Sequence, residues 1–298
     1  MKHLTESYKN KNILITGGAG FIGSHIAQEL VKLGANVTVI DNFSTGSLNN
    51  LRDVLSQVNI IYADITNFFS CLGATKNKDF VFHLAALASV ADSVKKPKLC
   101  KKINFDGTKN LLDACKKNGV KTFVFSSSAA VYGNRSDSCS EKDSANPQSP
   151  YAQYKFESEE LCKEYAKEYD INTASLRYFN VYGPKQNPNG HYAAVVAKFK
   201  DDLINNNPLT IYGDGKQTRD FIHVSKVVEA NLTIATQTDL KGEVFNIATG
   251  KSIDLFELIE QLEKETRKKA ADIYFKPARQ GDIFTSMANS EKYKRLVR

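Results

Sequence analysis

Short runs of consecutive apolar residues alternate along the chain with longer stretches whose apolar positions recur every three to four residues. The first run, Asn12-Ile-Leu-Ile-Thr16, leads into the glycine-rich segment Gly17-Gly-Ala-Gly-Phe-Ile-Gly23 and then Ser24 to Leu33, which has helical spacing. Gly34 ends that helix, and Ala35 to Ile40 predicts a second strand. Further strands are predicted over 58–62, 79–84, 121–126, 173–177 and 244–248, with helix-like segments such as Asn104 to Asn118 between them. Strands alternating with helices predict an α/β fold built on a doubly wound parallel sheet. Ligands of such sheets bind at the carboxyl ends of the strands, where Asp64, Ala85, Ala86 and the triplet Ser126-Ser127-Ser128 fall.

Beyond Arg177 the regular alternation loosens. Pro and Gly punctuate Tyr178 to Pro184 and Asn187-Pro-Asn-Gly190. A helix-like stretch over 192–205, a strand at Leu209-Thr-Ile-Tyr212, the turn Gly213-Asp-Gly215 and an amphipathic helix over 255–269 complete the chain, with no internal repeat or low-complexity tract.

Composition narrows the class. The chain has 298 residues, 42% of them hydrophobic, enough for a sizeable core and against disorder. Its formal charge of +7 is scattered, and the densest lysine run, Lys95 to Lys102, is expected to be a solvated helix start, so no nucleic-acid partner is expected. Cys71, Cys100, Cys115, Cys139 and Cys162 are widely spaced, as expected of reduced side chains in a cytoplasmic protein. The residues from Met1 to Asn12 are polar, and no run approaches membrane-spanning length, so a soluble protein with no membrane partner is expected. The five histidines do not cluster at ligand spacing, so no metal is expected.

Three features carry candidate chemistry. A glycine turn between strand and helix lets backbone approach a pyrophosphate, whose charge meets the positive helix N-terminus. Asp41, at the end of the second strand, can accept hydrogen bonds from a ribose diol and would repel a 2′-phosphate, favouring NAD over NADP. Tyr151 and Lys155 are four residues apart, which on a helix places them on one face. A free tyrosine has a pKa near ~10, so a phenolate at neutral pH needs a neighbouring positive charge, and Lys155 is expected to supply it. Tyr154 directly precedes the lysine and points elsewhere.

Taken together, Thr16 to Gly23, Asp41 to Gly46, His83 to Ala86, Ser126 to Gly133, the Tyr151/Lys155 pair, Arg177 to Pro184, Gly213 to Gly215 with Arg219-Asp220, and Arg279 to Asp282 resemble the extended short-chain dehydrogenase/reductases, of the UDP-hexose 4-epimerase group. The resemblance spans essentially the whole chain. It implies a Rossmann domain over 1–179 plus 219–248, and a smaller, intermeshed α/β substrate domain over 180–218 plus 249–298. It implies Ser128, Tyr151 and Lys155 as catalytic residues. NAD is implied as cofactor, held by Gly17, Gly20, Phe21, Ile22 and Gly23, by Asp41, Asn42, Ser44, Thr45 and Gly46, and by Asp64, Ile65, Leu84, Ala85, Ala86, Asn104, Ser126 and Tyr178 besides the Tyr/Lys pair. A UDP-sugar is implied on Ser127, Ser128, Asn180, Ala194, Val195, Tyr212, Arg219, Arg279, Asp282 and Ser286, the two arginines clamping the diphosphate.

The implied reaction removes the proton of the sugar 4-hydroxyl to Tyr151 as hydride passes from C4 to NAD⁺, then returns hydride to the other face of the 4-keto sugar. A 4,6-dehydratase of the same family would carry Thr-Asp-Glu where this chain has Ser128-Ala129-Ala130. A non-catalytic NAD-binding module would lack the Tyr/Lys pair. Ser286 stands where epimerases restricted to UDP-glucose and UDP-galactose have a bulky tyrosine, and this, with Ala88 and the segment 190–196, implies UDP-GlcNAc/UDP-GalNAc 4-epimerisation in polysaccharide synthesis. UDP-glucose/UDP-galactose is the alternative pair. The family pattern also implies residues beyond Arg298, an aspartate where Asn289 stands, and a homodimer built on Val90 to Asn118 and Tyr151 to Tyr169.

Overall fold

The computed structural model describes residues 2–135, 137–187, 195–278 and 284–297. A lead-in helix α1 (Lys2–Tyr8) precedes β1 (Asn12–Thr16), α2 (Phe21–Lys32), β2 (Asn36–Asp41), β3 (Val58–Tyr62), α3 (Phe68–Ala74) and β4 (Phe80–His83). Helices α4 (Val90–Lys95), α5 (Pro97–Lys101) and α6 (Gly107–Asn118) follow, the last two joined by a π-turn over Lys102–Asp106. Then come β5 (Thr122–Ser128), α7 (Pro150–Glu168), β6 (Asn172–Tyr178), β7 (Asn180–Tyr182), α8 (Val195–Ile204), β8 (Leu209–Tyr212), β9 (Thr218–Arg219) and β10 (Phe221–His223). Helix α9 (Val224–Ala235), β11 (Glu243–Ile247), α10 (Leu255–Thr266), β12 (Ile273–Lys276), β13 (Thr285–Ser286) and α11 (Glu291–Leu296) complete the order.

Among the described residues, one parallel sheet runs β11-β6-β5-β4-β1-β2-β3, as the apolar runs predict. Its inner strands are buried on both faces, because one apolar cluster joins them to α2 and α9 and a second joins them to α3, α6 and α7. The order reverses direction between β1 and β4, which opens a crevice at their carboxyl ends. A third, separate cluster packs Val196, Phe199 and Leu203 of α8 against Leu209 and Ile211 of β8 and the apolar face of α10.

Four boundaries differ from expectation, each for a local reason. Helix α2 begins at Phe21 rather than Ser24, because Gly20 ends the turn and its carbonyl accepts from Ser24 N at 3.1 Å. Strand β5 runs on to Ser128, since β6 pairs with it as far as Tyr178. Helix α10 stops at Thr266, where Arg267 turns left-handed at φ 56°, and starts from a capping box between Asp254 and Glu257. The polar start of the chain holds helix α1, whose Tyr8 is fully buried and donates to the Leu232 carbonyl at 2.7 Å. Of the helix expected over 192–205, the described part begins at Val195.

Candidate active site

A cavity of about 1050 Å³ opens at the carboxyl ends of the sheet, lined in turn by the segments that follow β1, β2, β3, β4, β5 and β6. At one end lies the turn after β1. Gly17 has φ +66°, and a Cβ there would stand 2.8 Å from Ala85 N. Gly23 lies so close to the turn that a Cβ would meet the Gly17 carbonyl at 2.4 Å. Only glycine lets the turn sit against the Leu84–Ala85 wall with α2 starting directly behind it.

Asp41 closes β2 with 8% exposure. Its carboxylate accepts from Ala19 N at 2.9 Å and Phe43 N at 2.8 Å, fixing the glycine turn and the following loop while keeping accepting capacity toward the cavity. Asn42 donates to Asp64 at 2.8 Å. Burial works to raise the Asp64 carboxyl pKa, but the Thr66 N–H and the Asn42 amide outweigh it and hold the group below its ordinary value.

The catalytic candidates converge at the other end. Helix α7 is capped by Ser149, starts with Pro150, and carries Tyr151 and Lys155 one turn apart. Lys155 is 3% exposed and donates to the Ser126 carbonyl at 2.5 Å. Burial pushes its ammonium down to about 8. Burial also raises the Tyr151 phenol, opposed by a hydrogen bond with Ser128. Desolvation thus works against the charged form of both groups.

Two expected contacts are placed differently. Asn104 does not line the cavity; it is buried in the π-turn, accepting from Leu87 N at 2.8 Å and donating to Leu87 O at 3.1 Å. It clamps the wall after β4 from behind. Ser127 borders the cavity, but strand alternation turns its side chain away from those of Ser126 and Ser128, and its hydroxyl donates to Glu159 at 2.5 Å. Every other residue expected around the cofactor, Ser44, Thr45, Gly46, Ile65, Ala86 and Tyr178 included, lines the cavity.

The wall also holds residues that sequence reasoning missed. Asn50 donates to Ala19 O at 2.9 Å, and Lys185 donates to Asn50 O at 2.5 Å, tying the segment after Gly183 across to the glycine turn. Lys185 directly follows Tyr182-Gly-Pro184, so its neighbourhood was visible but its reach was not.

Away from that cavity, β13 pairs with β9 so that Ser286 stands opposite Arg219. Asn180 donates to Asp220 O at 3.0 Å and approaches Ser286 Oγ at 3.5 Å. Asn180, Arg219 and Ser286 are thus brought together, though none of them, nor Val195 or Tyr212, is among the residues lining the cavity. Ala194, Arg279 and Asp282 lie outside the described residues.

Residues 13–248 match the model of the epimerase family, described as the NAD dependent epimerase/dehydratase family. The chain belongs to that family. A putative UDP-glucose 4-epimerase of Methanocaldococcus jannaschii is 38% identical, over 95% of this chain and 92% of that protein. The solved UDP-N-acetylglucosamine 4-epimerase of Methanobrevibacter ruminantium, in complex with UDP-N-acetylmuramic acid, superposes with a TM-score of 0.92 at 39% identity, covering 97% of this chain and 93% of that one. The Thermus thermophilus UDP-glucose 4-epimerase in complex with NAD superposes with a TM-score of 0.86 at 33% identity, covering 95% and 92%. This epimerase-family chain is therefore an enzyme of the isomerase type on an extended short-chain dehydrogenase/reductase scaffold, with NAD as its cofactor.

The epimerase-family chain's own residues fit NAD. The bare backbone at Gly17 and Gly23 and the α2 N-terminus, which has no acidic residue in its first turn, suit a pyrophosphate. The Asp41 carboxylate suits an unphosphorylated ribose.

Proposed function

We propose that this enzyme catalyses reversible 4-epimerisation of a UDP-hexose, with UDP-GlcNAc and UDP-GalNAc as its pair. The observation that carries the reading is the convergence of Ser128, Tyr151 and Lys155 on one cavity, with Ala129 and Ala130 following Ser128. A buried phenol beside a hydroxyl suits proton removal from a secondary alcohol. The two alanines carry no acid to move water, which sets the reading apart from dehydration.

When bound, NAD⁺ would supply the hydride acceptor for C4 and a further positive charge. Tyr151 takes the proton of the 4-hydroxyl as C4 gives up its hydride to that acceptor, which leaves a 4-keto sugar, and return of the hydride to the opposite face with the proton from Tyr151 gives the epimer. Ser128 donates to the developing oxygen charge, and Lys155, held by the Ser126 carbonyl, keeps the phenolate side of the equilibrium accessible. The substrate-binding side is assigned to 180–218 and 249–298, with Arg219 and Arg279 on the diphosphate and Asp282 on the uridine ribose. Ser286 beside Asn180 leaves room for an N-acetyl group where a tyrosine would fill it.

Incubation with UDP-GlcNAc without added NAD, followed by proton NMR of the sugar, tests the reading. UDP-GalNAc is the expected product. A 4-keto-6-deoxy sugar would establish dehydration instead, and faster initial rates on UDP-galactose than on UDP-GalNAc would transfer the assignment to the UDP-glucose pair.

We further infer a homodimer through 90–118 and 151–169. Val90 and Val94 of α4 are 46% and 61% exposed, apolar positions suited to cover by a second copy. Light scattering on the eluting peak checks it, with a monomeric mass counting against it.

A further inference from the structure

The face of α7 that carries Tyr151 and Lys155 continues one turn on to Glu159, which is fully buried. Its carboxylate accepts from Arg177 Nε at 2.9 Å, from Arg177 Nη2 at 2.6 Å and from the Ser127 hydroxyl at 2.5 Å. Arg177 lies on β6 and is 3% exposed, and the Tyr132 ring packs 4.6 Å from its guanidinium carbon. One carboxylate thus ties three elements together beneath the catalytic end: the helix of the base, the strand of the three serines and the strand beside it.

A buried ion pair is a costly way to join elements, because two charges leave water and an apolar pair of the same volume is often as stable. The geometry here offers a reason beyond stability. Ser127 is held by Glu159, Ser126 by Lys155, and Ser128 by Tyr151, so three consecutive residues of β5 are bonded to three successive turns of α7. We propose that Glu159 is a positioning residue for the Tyr151–Lys155 base: through Ser127 and Arg177 it sets the serine strand against α7, and it places a carboxylate one turn beyond the lysine ammonium.

The charges around Lys155 support this. Tyr151, Glu159 and Cys162 face it from α7, Cys100 from α5, His83 from β4, and Arg177 stands behind Glu159 on β6. Burial is the largest influence and disfavours the ammonium; Cys100, Glu159 and Cys162 oppose it. Burial raises both thiols, so they stay neutral near pH 7. His83 is neutral as well, burial having lowered it to about 3. The ion-paired carboxylate is therefore the anion facing Lys155.

The test uses the holoenzyme and Glu159→Gln, with Glu159→Gln/Arg177→Met as a second variant that removes both charges and is suited to fold if the single variant is not. Lys155 is followed by NMR of 13Cε-labelled lysine, assigned with Lys155→Met, a readout that needs no substrate. The Lys155 titration is expected to move down by about one pH unit in the single variant, and in the same direction but less in the double variant. Turnover, whose interpretation rests on the epimerase reading above, is expected to fall at least tenfold with KM nearly unchanged and its alkaline limb at lower pH. A lowered melting temperature with the Lys155 titration unmoved would make the ion pair a structural tie only and overturn the proposal. Wild-type protein inactive on every UDP-hexose would overturn the epimerase reading while leaving the lysine titration to decide this one.

Discussion

The ammonium of Lys155 donates to the carbonyl oxygen of Ser126 at 2.5 Å while standing 5.9 Å from the centre of the Tyr151 ring. The lysine is thereby anchored to the strand and acts on the tyrosine through space. Burial raises the phenol, and the hydrogen bond with Ser128 opposes it.

Tyr151→Phe keeps the ring and removes the proton acceptor. It is expected to retain NAD and nucleotide binding and to lose about 10²–10⁴-fold in turnover. Single-turnover absorbance of the bound cofactor after adding UDP-sugar checks the chemical step directly, and wild-type amplitude and rate would contradict the assignment.

Gly17→Ala places a Cβ in a left-handed backbone and 2.8 Å from Ala85 N. The conformational cost alone is about 1–2 kcal/mol, and the wall after β4 must also retreat. The variant should purify with much less NAD and melt at a lower temperature, whereas a wild-type NAD content would show that the turn does not need this approach.

Asp41→Ser should shift cofactor preference toward NADP by relieving repulsion of a 2′-phosphate. Because Ala19 N and Phe43 N lose a charged acceptor, about 1–3 kcal/mol of stability should go with it. Fluorescence titration of the NAD-stripped protein with both cofactors measures the preference, and an unchanged ratio would remove Asp41 from ribose recognition.

His83 gives the fold a defined acid sensitivity. Its Nδ1 meets the Thr16 hydroxyl at 2.7 Å and its Nε2 the Thr108 hydroxyl at 2.8 Å, and Thr108 in turn donates to Asn104 O. Burial lowers its pKa from 6.5 to about 3, so the folded state holds it neutral where the unfolded chain would take a proton. The stability is fully present above the unfolded pKa and falls with pH below it, by up to about 1.4 kcal/mol per unit, until the folded pKa is reached. Urea unfolding between pH 7.5 and 5 should show this slope, and His83→Gln should flatten it.

Ser286→Tyr puts a bulky ring next to Asn180, where the proposed function assigns the C2 substituent. It should depress the rate on UDP-GalNAc at least tenfold relative to that on UDP-galactose, since a pocket that loses room for a substituent rejects it sterically. Equal effects on both substrates would place the C2 substituent elsewhere.

The sheet was legible because its inner strands are short apolar runs, unbroken in Ile13-Leu-Ile15, Val81-Phe82 and Phe123-Val-Phe125 and interrupted in β2 and β6 by the buried Thr38, Thr173, Ser175 and Arg177. The cofactor end was legible for a similar reason: Gly17, Gly23 and Asp41 act through backbone proximity and strand position, which spacing records. Ser127, Asn104 and Glu159 were not. The direction of Ser127 depends on where β5 ends, and β5 runs past its apolar run because of its pairing with β6. Asn104 depends on a π-turn that shifts the helical face, and Glu159 matters through Arg177, a partner 18 residues away on another strand. Short strands such as β9 and β13, which pair Ser286 with Arg219, join distant segments without a periodic signal.

Because Tyr151, Lys155 and Glu159 share one face of α7, the helix serves as a ruler laid along the serine strand. One residue added between 151 and 155 would turn every later side chain by about 100° and advance it by about 1.5 Å, parting the tyrosine from both its partners at once. Away from these three positions α7 can absorb single substitutions, but the count of residues between Tyr151 and Glu159 cannot change by one.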